Sequence, residues 1–127
     1  MTGKKIFILD DDKDILDSMK MVLEFKGYQV HTSAHAENLS SISEKAPDLL
    51  LIDLWMSGTD GSDICRQLKN NIQTRHIPVV IISANANIKE LSYNCKADGY
   101  ISKPFEIDEL LSTVQEYAGK PVNSINR

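Results

Sequence analysis

The sequence predicts a doubly wound α/β fold: a single five-stranded parallel sheet in the order 2-1-3-4-5, with helices on both faces, forming a three-layer sandwich. Two observations predict it. Short apolar runs alternate with segments whose apolar residues recur at helical spacing, the pattern of a parallel sheet covered on both sides. Five such strand–helix units fit into 127 residues, a length that suits one domain with a core needing no staples.

Lys5 to Leu9 reads as the first strand, and Ile15, Leu16, Met19, Val22 and Leu23 then repeat at helical spacing until Gly27, a C-cap residue. "YQVHTS" is a second, more polar strand that suits a sheet edge, followed by a weak helix in "AENLSSISEKA" that Pro47 ends. "DLLLID" is a buried central strand, and Ile64, Cys65 and Leu68 mark the next helix. "PVVIIS", starting at Pro78, is another central strand, and "GYIS" is a short fifth one. Ile107, Leu110, Leu111 and Val114 line the last helix, after Pro104. The whole chain, 1–127, is read as one domain with its core in 4–118 and a short tail in 119–127. In such a flavodoxin-like sheet, ligands bind outside the carboxyl ends of the strands, at the switch point between strands 1 and 3.

Composition narrows the function classes. With 42% hydrophobic and 25% charged residues the chain is an ordinary globular protein, and its net charge of −4 argues against a direct nucleic-acid surface. No apolar run approaches the about 20 residues of a membrane span, and "MTGKKIFILDDD" turns acidic before a signal-peptide apolar region is complete, so a cytoplasmic protein is expected. Cys65 and Cys95 have neither metal-type nor redox-type spacing and read as reduced, packed thiols.

Asp10, Asp11 and Asp12 stand side by side where the first strand ends. One aspartate can cap the following helix, but adjacent carboxylates raise the cost of ionising one another, so the other two call for a cation. Strand 3 ends in Asp53, which the predicted topology places beside them. Asp10, Asp11 and Asp53 make an oxygen-only anionic pocket of the kind that suits Mg²⁺, and no His or Cys nearby supports zinc. Strand 4 ends at Ser83, and strand 5 runs into Lys103. A cation, a hydroxyl and an ammonium facing one carboxylate form a phosphoryl-binding site, with Asp53 the natural nucleophile. Taken singly, Asp53 reads as a turn cap, Ser83 as a strand-end hydroxyl on backbone, Lys103 as a solvated charge, and Tyr100 as partly buried packing.

"ILDDD", "DLLLIDLWMSGTDG", "VVIISA" and "ADGYISKPF", in this order and spacing, resemble the receiver domain of two-component response regulators over residues 4 to 118. The resemblance implies that Asp11 ligates Mg²⁺ directly with Asp10 assisting, that the Trp55 backbone carbonyl is a further ligand, and that Asp53 is the phosphoacceptor. It also implies a switch pair in Ser83 and Tyr100, a phosphate contact from Lys103, a cis bond to Pro104, and Asp12 as the helix cap. The implied partners are a histidine kinase or histidine phosphotransfer protein and an output partner, with the chain a monomer or weak dimer. The output surface would lie around the fourth helix, fifth strand and fifth helix.

Three places depart from the family pattern: Ser57 where proline is usual, the bulky Trp55 beside the phosphoryl site, and a segment from Ser83 to Tyr100 about two residues short. Two other readings stay open at this level, a degenerate receiver used only for binding and an aspartyl-phosphate hydrolase. The hydrolase would want a carboxylate two residues after the nucleophile, where Trp55 stands. In the short segment, Asn87 followed by Glu90 resembles a capping box, so a helix of about two turns is expected from Ile88, with a thin apolar stripe of Ile88, Leu91 and Cys95.

Overall fold

The computed structural model describes residues 3–35, 37–56 and 58–121. Strands β1 (Lys5–Leu9), β2 (Gln29–Ser33) and β3 (Leu49–Asp53) alternate with helices α1 (Lys13–Phe25) and α2 (Leu39–Lys45). Two-residue strands β4 (Trp55–Met56) and β5 (Thr59–Asp60) precede α3 (Gly61–Lys69). Then come β6 (Val79–Ser83), α4 (Ile88–Asn94), β7 (Gly99–Ser102) and α5 (Ile107–Ala118). The main sheet is parallel throughout, ordered β2-β1-β3-β6-β7, which is the expected 2-1-3-4-5 of a flavodoxin-like fold.

The continuous apolar runs of β3 and β6 follow from burial on both faces, and all five residues of each are buried. Alternate residues then serve opposite layers. Ile6, Ile8, Leu49, Leu51, Val80 and Ile82 pack against Leu16, Met19 and Leu23 of α1 and Leu110 and Val114 of α5. Phe7, Leu9, Leu50, Ile52, Val79 and Ile81 pack against Ile42, Ile64, Leu68 and Ile88 of the other three helices. Burying each such side chain contributes about 1.5–3 kcal/mol. The polar strand β2 is the edge, as its sequence implies. At the far edge of the fold the Tyr28 hydroxyl donates to the Gly119 carbonyl at 2.8 Å, fastening the end of α5 beneath β2.

Side-chain caps distinguish α1 and α3 from α4. Asp12 caps α1, its carboxylate accepting from the N–H groups of Asp14 and Ile15 at 3.0 and 3.2 Å. Asp60 caps α3 by accepting from the Ser62 N–H at 2.8 Å. For α4 the capping box does not form. Asn87 sits at ψ 21° instead of in the extended region and makes no side-chain cap bond, because its own N–H is drawn to Asn85 Oδ1 at 2.7 Å. The helix has seven residues, with Ile88 and Ser92 buried, Leu91 half-buried and Tyr93 turned to solvent. The Ser92 hydroxyl is buried without a hydrogen-bond partner among the described residues.

Two expectations about packing are corrected. Ile107, the first residue of α5, is exposed, whereas Leu110 and Val114 of the same helix are buried in the core. Tyr100 is 41% exposed: on β7 its ring lines an open hollow shared with Tyr93 and Tyr117. No helix among the described residues is long and apolar enough to cross a membrane.

Candidate functional site: a carboxylate pocket at the switch point

Each side chain of the pocket is delivered by the carboxyl end of a parallel strand. Asp10 follows β1 and is almost wholly buried, its backbone N–H donating to the Ser33 carbonyl at 3.2 Å. Its two carboxylate oxygens are both engaged: Oδ1 accepts from the Asp12 N–H and Oδ2 from Lys103 Nζ, each at 2.9 Å. Asp53 ends β3 and is 9% exposed, with Oδ1 3.5 Å from the same ammonium. Asp11 stands exposed at the pocket mouth. One oxygen from each of Asp10, Asp11 and Asp53 lies within 4.8 Å of the others, and no other group of three such residues among those described comes as close.

Lys103 reaches this position through the end of β7. Its N–H donates to the Ser83 carbonyl at 2.9 Å, extending the β6–β7 ladder by one bond before the cis peptide to Pro104. Its side chain therefore turns inward, and it is no solvated surface charge. The Ser83 hydroxyl, also buried, accepts from the Asn85 N–H at 3.0 Å, which leaves its own hydrogen to donate elsewhere. Trp55 lies two residues beyond Asp53 with its indole 60% exposed. Its strand pairs antiparallel with β5, Trp55 opposite Asp60 and Met56 opposite Thr59, closing the loop after Asp53. Ser57, the position of the missing proline, lies outside the described residues.

Gly61 is the site residue that sequence reasoning missed. A Cβ placed there would collide with the Asp53 backbone carbonyl, and the Gly61 N–H donates to the Leu54 carbonyl at 2.6 Å. The start of α3 is thus pressed flush against the backbone that carries Asp53. The available signal was a glycine directly after a helix-capping Asp, a place where helix propensity gives no reason to choose it.

The electrostatics follow from this crowding. Burial pushes the Asp53 carboxyl up to about 6, the Asp10 charge adds to the rise, and Lys103 opposes it. For Lys103, burial works against the charged form, but the contacts with Asp10 and Asp53 outweigh it and hold the ammonium above its ordinary range. The pocket therefore carries three carboxylates and one ammonium. That surplus of hard oxygen donors fits a divalent cation such as Mg²⁺, which keeps several waters and takes few protein ligands.

The comparisons with known proteins point the same way. The family model of the response regulator receiver domain matches residues 6–115. The heme response regulator HssR of Staphylococcus epidermidis is 36% identical over 111 residues, which is 85% of this chain and 48% of that protein. The chain spans about half the length of the curated relatives it matches. A solved response regulator receiver domain protein (CheY-like) from Methanospirillum hungatei has a TM-score of 0.80 at 32% identity, covering 89% of this chain and 91% of that one. The chemotaxis protein CheY4 of Vibrio cholerae has a TM-score of 0.79 at 24% identity over 90% and 98%, a likeness of fold alone. The family match over residues 6–115, agreeing with the sheet order and with carboxylates gathered at its switch point, makes this chain a member of the response regulator receiver family, the phosphoacceptor signalling modules of two-component systems.

Proposed function

We propose that Asp53 is the phosphoacceptor, taking a phosphoryl group from the phosphohistidine of a histidine kinase or histidine phosphotransfer protein in the cytoplasm. The observation that carries this is the placement of Asp53, at the end of a central strand with its Oδ1 3.5 Å from Lys103 Nζ and with Asp10 and Asp11 beside it. In the transfer, an Asp53 oxygen attacks phosphorus, the P–N bond to the donor imidazole breaks, and the imidazole leaves with the electron pair. Asp10, Asp11, Asp53 and the backbone carbonyl of Trp55 would hold Mg²⁺. Bound there, the ion supplies charge neutralisation for the carboxylates and the phosphoryl oxygens.

The remaining residues act on the phosphorylated state. Lys103, held in place by Asp10, offers its ammonium to a phosphoryl oxygen, and Ser83 offers the hydrogen that its bond from Asn85 leaves free. Both interactions favour whichever conformation brings the two groups closer to Asp53, so phosphorylation biases an existing equilibrium. Ser83 and Tyr100 form the switch pair that passes the bias to α4, β7 and α5. We read residues 1–127 as one receiver domain that works as a monomer or weak dimer.

Mass spectrometry after incubation with acetyl phosphate and Mg²⁺ tests the assignment. One labile phosphate per chain is expected in the wild type and none in Asp53→Asn. An adduct that survives that substitution, or none in either protein, would overturn it.

A further inference from the structure

We propose that Cys65 and Cys95 are a thiol modification site, forming a reversible intramolecular disulfide that fastens the C-terminal end of α4 to α3. Cys65 lies in the middle of α3, and Cys95 is the residue at which α4 ends. Both are wholly buried in the same core layer, and they are the only two cysteines of the chain. Cys65 Sγ lies 3.4 Å from the Cys95 carbonyl oxygen, to which it donates. Cys95 Sγ in turn donates to the Ser92 carbonyl at 3.5 Å, so each thiol is held at the same helix end.

Their places in the fold divide the roles. Cys95 ends α4, the helix that must lift before an oxidant can enter, and acts as the nucleophile; Cys65, in the middle of α3, is the resolving thiol. With hydrogen peroxide as oxidant, the Cys95 thiolate attacks one peroxide oxygen, the O–O bond breaks to give the sulfenic acid, and the departing hydroxide is protonated to water. Cys65 sulfur then attacks the Cys95 sulfur; the S–O bond breaks, the S–S bond forms, and the departing hydroxide takes the Cys65 proton. Two thiols are oxidised, and hydrogen peroxide is reduced to two waters.

Access makes the site conditional. Neither sulfur has exposed surface, so an oxidant reaches them only when α4 lifts from the sheet. That helix has seven residues, no side-chain cap bond and a buried serine hydroxyl without a partner among the described residues, features that suit it to lifting. The disulfide would then hold α4 against α3 when it closes again.

Peptide mapping under non-reducing conditions tests the proposal on the wild-type chain, reduced, freed of reductant and exposed to hydrogen peroxide. The expected result is loss of two hydrogens per chain, one Cys65–Cys95 linked peptide, and full reversal by dithiothreitol. Amide exchange in residues 88–95 should slow at least about tenfold in the oxidised form. In Cys65→Ser, a dimedone adduct should accumulate on Cys95. Should that variant fail to fold, the wild-type map decides alone. Thiols that remain fully alkylatable, oxidation that stops at sulfinic acid on Cys95, or links only between chains would each overturn it.

Discussion

Helices α1 and α4 flank the same sheet, yet they are built to opposite standards. Helix α1 has thirteen residues, an aspartate that satisfies two N–H groups at its start, and Leu16, Met19 and Leu23 buried beneath it. Helix α4 has seven residues, no side-chain cap bond, and only Ile88 and Ser92 buried. The carboxylate pocket hangs from the strongly made side, where Asp12 caps α1 immediately after Asp10 and Asp11. Chemistry that needs carboxylates held within a few ångströms is attached to the well-capped side, and the surface proposed to change lies at a short helix without a side-chain cap bond.

Four measurements break or sharpen that contrast. The largest effect is expected for Lys103→Met, which leaves Asp10 a buried carboxylate without its cation. Metal-free stability should fall by about 3 kcal/mol in denaturant titration, and Mg²⁺ should restore part of it by taking over the ammonium's charge. No loss would mean that the ion pair does not hold the well-capped side together.

Amide exchange compares the two helices directly. Residues 88–95 should exchange on the order of 100-fold faster than residues 15–23, and phosphorylation should change the first rate and not the second. Equal protection, with and without phosphate, would remove α4 as the element being biased.

Asp53→Asn should stabilise the metal-free protein at neutral pH by on the order of 2 kcal/mol. The folded protein keeps the Asp53 proton up to about 6, whereas an ordinary aspartate loses it near 3.8, so wild-type stability falls as pH rises through that window. The advantage of the variant should therefore be absent below that window and constant above it. An advantage independent of pH would place its origin in packing instead of charge.

The smallest effect separates the caps. Asp12→Ala should cost about 1 kcal/mol, and Asn87→Ala less than about 0.5 kcal/mol, because only the first side chain bonds its helix. Equal costs in thermal unfolding would contradict the different cap geometries.

Much of this was legible from residue pattern. The runs in β1, β3 and β6 are uninterrupted because both faces are buried, and that signal survives without any contact information. Asp10, Asp11 and Asp53 could be brought together because strand order places two strand ends side by side. Other features lay below the reach of periodicity. The β4–β5 pair consists of two-residue strands, too short to show an alternation. Asn87 and Glu90 have capping-box spacing, but a competing bond from the Asn87 N–H to Asn85 sets the backbone otherwise. Ile107 shares the helical spacing of Leu110 and Val114, and Tyr100 reads as packing, yet both are exposed, which periodicity alone does not reveal.

Gly61 has a consequence for how the site tolerates change. It brings no side-chain atom to the pocket, yet any side chain there would have to push α3 away from the backbone of Asp53. Even alanine, the best helix former, is excluded by contact with a carbonyl that cannot rotate aside. In a saturation library selected for phosphoryl acceptance, position 61 should therefore behave like a reacting residue and admit almost nothing, while Asp60 beside it accepts any good cap. The boundary of the chemical site, drawn by tolerance to substitution, includes a residue recognisable only by the space it leaves empty.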